Sequence, residues 1–132
     1  KTKPVYPDMK LYEEIIFLQN YFNGKFCVEN VIPYYEPLIP AQKRGRHLYW
    51  CNFTLPHKLS DTNEKGIISG QVKNELDELI KLHEYDFRKY KGDQSQIKIA
   101  RNLVHFEAGK TILDIAMGII ESKSYQSQMI FE

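Results

Sequence analysis

Glu29 and Asn30 place a carboxylate and an amide at the end of the short apolar run Lys25-Phe26-Cys27-Val28-Glu29-Asn30-Val31. These side chains grip polar ligands by hydrogen bonds. A run of this composition reads as a strand buried on both faces. Leaving its carboxylate unpaired would cost about several kcal/mol. Ligands gather at the carboxyl ends of strands in open parallel sheets, so the pair marks a candidate site. In the competing reading Asn30 opens a turn and Glu29 faces water. A second set of residues follows in Gln42-Lys43-Arg44-Gly45-Arg46-His47, the concentrated basic patch of the chain. In an extended segment Gln42, Arg44 and Arg46 alternate onto one face. A planar guanidinium there donates to a carbonyl or a phosphate. The plainer alternative is a solvated basic edge.

The elements that must position these groups are legible in outline. Lys1 to Pro7 reads as an extended lead-in, and the lack of a methionine at Lys1 points to an internal piece of a longer protein. Asp8 caps a helix starting near Met9, in which Leu11, Ile15, Leu18 and Phe22 form the apolar stripe and Asn23-Gly24 the stop. The strand from Lys25 to Val31 then completes a helix-to-strand unit of an α/β sheet. Ile32 to Ala41 holds three prolines and two tyrosines and reads as a rigid loop. Leu48 to Phe53 is a second, aromatic strand. Pro56 to Ser69 is polar and turn-rich. A helix starting at Ser69 or Gly70 aligns Val72, Leu76, Leu79 and Ile80. Lys81 to Gln96 is charged and aromatic, with a break at Gly92-Asp93. Ile112, Ile115, Ala116 and Ile119 mark a final helix from about Phe106 to Ser122.

Composition narrows the classes. With 132 residues, 42% hydrophobic and 27% charged, the chain is one ordinary globular domain. No run approaches the roughly 18 apolar residues of a membrane helix, and no secretory signal is read at the start. A net charge of +1 confines any polyanion contact to a local patch. Cys27 and Cys51 lie in strand-like runs and read as buried free thiols of a reducing compartment. His47, His57, His83 and His105 lack metal-ligand spacing, so no metal site is expected. Ala108-Gly109-Lys110-Thr111 ends like a phosphate-binding loop, but Val104 stands where that loop needs a glycine. It reads as a helix start.

Together, Phe26-Cys27-Val28-Glu29-Asn30-Val31 and Gln42-Lys43-Arg44-Gly45-Arg46 resemble the Glu-Asn-Val and Gln-x-Arg-x-Arg motifs of the DNA (cytosine-5) methyltransferases. The likeness runs from about Asp8 to Phe53. Arg101-Asn102 and the last helix resemble that family's closing segment, with Gly109-Lys110-Thr111 where the family has Gly-Asn-Ser. The resemblance implies the C-terminal part of a Rossmann-like, S-adenosylmethionine-dependent methyltransferase sheet carrying a small, mostly helical recognition region. In that scheme 1–55 is the second part of the catalytic α/β domain, 56–96 the target-recognition-like region and 97–132 the closing helical segment.

The implied reaction extrudes a cytosine from double-stranded DNA and transfers a methyl group to its C5 after a cysteine attacks C6. Glu29 would hold N3 and N4 of the base, Arg46 its O2, and Asn30 the loop beside Glu29. Arg44 would fix the catalytic loop and Gln42 support the strand. Lys43, Arg44 and His47 would contact DNA, and Gly109 and Thr111 would touch the cofactor. The family's Pro-Cys nucleophile and glycine-rich cofactor loop are absent from this sequence, and neither Cys27 nor Cys51 replaces that nucleophile. The reading is therefore of a fragment or subunit inactive alone. Its partners would be DNA and a missing N-terminal half that binds most of the S-adenosylmethionine. It would be encoded by a prokaryote or a phage and work inside the cell, in the cytoplasm and with no membrane partner, in restriction, protection or regulation. The alternative is a non-catalytic DNA-binding or regulatory module on the same fold.

Overall fold

Asp8 opens the first helix as its sequence position implies: its Oδ1 accepts the Lys10 N–H at 3.1 Å. In the computed structural model, which describes residues 3–62, 64, 66–68 and 73–120, this helix (α1) spans Met9–Tyr21. Its buried side chains are Tyr12 and Ile15, with Leu11 partly buried beside them. Phe22, expected on the buried stripe, is exposed, because the chain leaves the helix there in an extended conformation. The helix ends without a left-handed glycine, so Asn23-Gly24 is not its cap.

Three strands follow: β1 (Cys27–Val31), β2 (Gln42–Arg44) and β3 (His47–Cys51), in the spatial order β1-β3-β2 and antiparallel throughout. This corrects the expectation of a parallel strand buried on both faces. β1 is an edge strand whose five residues are all only partly buried. The central strand is β3, which buries His47, Leu48, Tyr49 and Trp50. A two-residue turn, Gly45-Arg46, joins β2 to β3. Gly45 has φ +58° and Arg46 is not left-handed, the arrangement of a hairpin with glycine at the first central position.

The chain divides into two compact units, a first made of the described residues up to Lys58 and from Ile112 on, and a second of 59–111. In the first, Tyr12 and Ile15 of α1 pack on Leu48 and Trp50 of β3, with Val28, Tyr35, Ile39 and Ala41 around them. The Tyr12 and Trp50 rings meet edge to face with centroids 6.1 Å apart. The proline-rich loop is tied to this core because Trp50 Nε1 donates to the Ile39 carbonyl at 2.9 Å.

In the second unit, α2 (Glu75–His83), a 3₁₀ turn (Phe87–Lys89) and α3 (Gln96–Asn102) enclose Leu79, Phe87 and Ala100. Glu75, Asp77 and Glu78 lie in the first turn of α2, with Lys81 and His83 in its last, as the helix dipole favours. Arg101 of α3 grips Glu75 through two hydrogen bonds, Nε–Oε1 at 2.7 Å and Nη2–Oε2 at 2.5 Å. The expected start of α2 at Ser69 or Gly70, with Val72, lies outside the described residues. α3 is expected from the sequence only as part of the closing helical segment 97–132 and not as an element of its own. The last described helix, α4, spans Phe106–Ala116, and Gly118 follows it at φ +75°. The expected continuation to Ser122 is not observed: the helix stops at Ala116 and 117–120 turn away from helical geometry, while Ser122 itself lies outside the described residues.

Ile15 is fully buried against the sheet. Ile15→Ala is expected to cost about 2–5 kcal/mol through lost burial and the cavity left behind, measured by urea unfolding followed through Trp50 fluorescence. Burial pushes the Tyr12 phenol above its ordinary pKa. The proton is then held more tightly in the folded chain than in the unfolded one. The associated stability is complete below the unfolded value of about 10 and is lost as pH rises through the folded value. Between about pH 10 and the folded value the urea midpoint of the parent should fall more steeply than that of Tyr12→Phe; parallel curves there would contradict the assignment.

Candidate functional site

The register between β1 and β3 decides which side chains meet. Glu29 lies opposite Tyr49, Val31 opposite His47 and Cys27 opposite Cys51; across β3, Gln42 lies opposite Tyr49 and Arg44 opposite His47. Cross-strand partners share a face and neighbours along a strand do not. One face therefore carries Cys27, Glu29, Gln42, Arg44, His47, Tyr49 and Cys51. The other faces α1 and carries Val28, Asn30, Lys43, Leu48 and Trp50. Asn30, expected beside Glu29, points away from it, because the two are consecutive residues inside a strand and not at its end.

Gln42 and Arg44 clamp the segment that follows β3. Gln42 Nε2 donates to the Phe53 carbonyl at 3.0 Å, and its Oε1 accepts the Leu55 N–H at 2.8 Å. Arg44 donates Nε to the Pro56 carbonyl (2.6 Å), Nη2 to that of Leu55 (3.0 Å) and Nη1 to that of Lys43 (2.8 Å). Leu55 and Pro56 are thereby held buried. The guanidinium serves a loop here, while Lys43, on the opposite face, is exposed. Arg46 does not continue the alternation of Gln42 and Arg44, because it sits in the hairpin turn. Its carbonyl accepts the Ile32 N–H at 3.2 Å, which brings the turn to the exit of β1, beyond Glu29.

Glu29 and His47 form the centre of the polar face. His47 Nδ1 lies 3.6 Å from Glu29 Oε2, and His47 is 4% exposed. Glu29 Oε2 and both His47 ring nitrogens are buried with no hydrogen-bond partner among the described residues. A buried acceptor left in this state is costly, and a ligand N–H would satisfy it. His47, expected on the DNA, is covered in this arrangement. Its place beside Glu29 follows from the hairpin, which the glycine within Arg44-Gly45-Arg46-His47 signals.

Gly109 and Thr111 lie inside α4, in the second unit. The Thr111 hydroxyl lies 2.9 Å from the Glu107 carbonyl and 3.0 Å from that of Leu59. A Cβ built on Gly109 would meet open space. A helix-internal glycine in the open and a hydroxyl already bonded do not fit a cradle for S-adenosylmethionine. Cys27 and Cys51, expected as buried free thiols, are free but half-buried, and their sulfurs lie 3.0 Å apart. No group of His, Cys, Asp and Glu among the described residues is placed to hold a metal ion. No described helix is long and apolar enough to cross a membrane. No family model, curated protein or solved structure matches the chain.

Arg44→Lys keeps the charge and loses the planar fork that reaches three carbonyls. It is expected to destabilise the first unit by about 1–3 kcal/mol, seen as a lower urea midpoint. An unchanged midpoint would remove the clamp from the account.

Proposed function

We propose that the chain is the base-gripping part of a DNA cytosine-5 methyltransferase. On this reading its three-stranded antiparallel sheet belongs to a larger Rossmann-like sheet inside the cell. The observation that carries the reading is the buried Glu29 Oε2, which has no hydrogen-bond partner among the described residues and lies in the middle of β1, on the face that Gln42 and Arg44 organise. A cytosine extruded from the duplex offers complementary groups: an N4 amino donor for the carboxylate, and an O2 acceptor for a guanidinium. Glu29 would accept from N4 and orient the ring, and Arg46 would hold O2. Arg44 and Gln42 act as positioning residues through the segment 53–56. Nucleophile and cofactor cradle fall to the part of the enzyme bearing the Pro-Cys and glycine-rich motifs. S-adenosylmethionine would bind there, and Gly109 and Thr111 are not assigned to it. In a non-catalytic module the same face would bind the base without any such partner.

Binding of this chain to a duplex with one cytosine opposite an abasic site tests the grip, because that base is already unpaired. The expected result is an affinity several-fold above that for the fully paired duplex. Glu29→Gln should abolish the preference while keeping the overall, strongly salt-dependent affinity, to which phosphate contacts contribute most. Equal affinity of the parent for both duplexes would overturn the proposal. In an enzyme completed with its Pro-Cys part, Arg46→Ala should lower methyl incorporation strongly; unchanged incorporation would remove Arg46 from the site.

A further inference from the structure

Cys27 and Cys51 are directly opposed across β1 and β3, with their sulfurs 3.0 Å apart, and neither is in a disulfide. The Ile32 N–H donates to the Arg46 carbonyl in the same ladder, so the pairs at Asn30–Leu48 and Val28–Trp50 are the hydrogen-bonded ones. Cys27–Cys51 therefore falls at a non-hydrogen-bonded position. There opposed Cα atoms approach to about 4.5 Å, inside the range of about 4.4–6.8 Å that a disulfide spans. Both residues are half-buried, so a small reagent reaches them from one side.

We propose that Cys27 and Cys51 form a reversible dithiol site, which a low-molecular-weight disulfide such as oxidised glutathione converts to a cross-strand disulfide. Cys27, as thiolate, attacks one sulfur of the small disulfide. The S–S bond breaks and one small thiolate leaves with the electron pair. Cys51 then gives up its proton and attacks the Cys27 sulfur of the mixed disulfide, expelling the second thiolate. Two protein thiols are oxidised, one small disulfide is reduced to two thiols, and the two protons released end on the leaving groups.

The order of attack follows from the environment. The Cys51 thiol donates to the Cys27 sulfur, which lowers the Cys27 pKa against the opposing effects of burial and the Glu29 charge. Cys51, whose proton is engaged in that bond and which is also buried, is raised. The bond would pin β1 to β3 two residues before Glu29 and two after Tyr49, fixing the register of the polar face. None of this depends on what that face binds.

The test incubates the full chain with a series of oxidised-to-reduced glutathione ratios, then alkylates free thiols and maps peptides by mass spectrometry. The expected product is a Cys27–Cys51 linked peptide, both thiols disappearing together and returning with reduced glutathione. Closure should be at least about tenfold slower in the urea-unfolded chain, where a flexible segment supplies only about millimolar effective concentration. Cys51→Ser, which keeps a donor to Cys27, should collect glutathione faster than Cys27→Ser does at Cys51. Two thiols still alkylated at the most oxidising ratio would overturn the proposal. So would a stable glutathione adduct on the parent, equal closure rates with and without urea, or the reverse order of the variants.

Discussion

The pairing register of β1 on β3 is the constraint from which the rest of the first unit follows. Strand side chains alternate with a period of two, so a slip of one residue would carry Val28 away from Trp50 and α1 and put Glu29 under the helix. The apolar contacts of Tyr12 and Ile15 with Leu48 and Trp50 disfavour that slip, because a one-residue shift in either direction buries a carboxylate among aromatics. The hydrophobic face thus dictates the composition of the polar face: once Leu48 and Trp50 are committed to α1, His47, Tyr49 and Cys51 must meet Glu29 and Cys27. The Gly45-Arg46 hairpin adds Gln42 and Arg44 to the same side.

What could be read from residue order alone was whatever depends on local chemistry. The Asp8 cap, the body of α1, both longer strands and the onset of α4 at Phe106 rest on periodicity and capping, which are properties of a dozen residues or fewer. The direction of pairing was not legible in this way. A short apolar run such as Phe26-Cys27-Val28 serves a buried parallel strand or an antiparallel edge equally well. Within the segment 97–132, expected as helical, α3 does not stand out as a separate helix because Ile97, Ile99 and Ala100 give seven residues only one turn of pattern.

The candidate site was legible by residue type more than by geometry. Glu29 and the Gln-x-Arg-x-Arg stretch stand out in the chain, and the fold does bring Gln42, Arg44 and Glu29 to one face. Reading Gln42 to Arg46 as one extended segment overlooked Gly45, whose positive φ turns the chain and takes Arg46 out of the alternation. The same turn returns the strand beside β1 and makes His47 the neighbour of Glu29. Asn30 was grouped with Glu29 by adjacency in sequence, whereas within a strand adjacency means opposite faces.

Most polar side chains of both units are held in bonds, and the buried oxygen of Glu29 stands against that background. In the second, Arg101 is matched by both oxygens of Glu75, and His105 is held as one tautomer: its Nδ1 accepts the Glu107 N–H while its Nε2 donates to the Leu82 carbonyl. In the first, the clamp from Gln42 and Arg44 satisfies the carbonyls of Phe53, Leu55 and Pro56, while Glu29 Oε2 and the His47 nitrogens beside it have no hydrogen-bond partner among the described residues. A packed core and a well-bonded loop therefore surround a patch with unspent hydrogen-bonding capacity. Rigid surroundings keep such a patch from relaxing onto itself, and a ligand that supplies the missing partners gains what the fold alone leaves unrecovered.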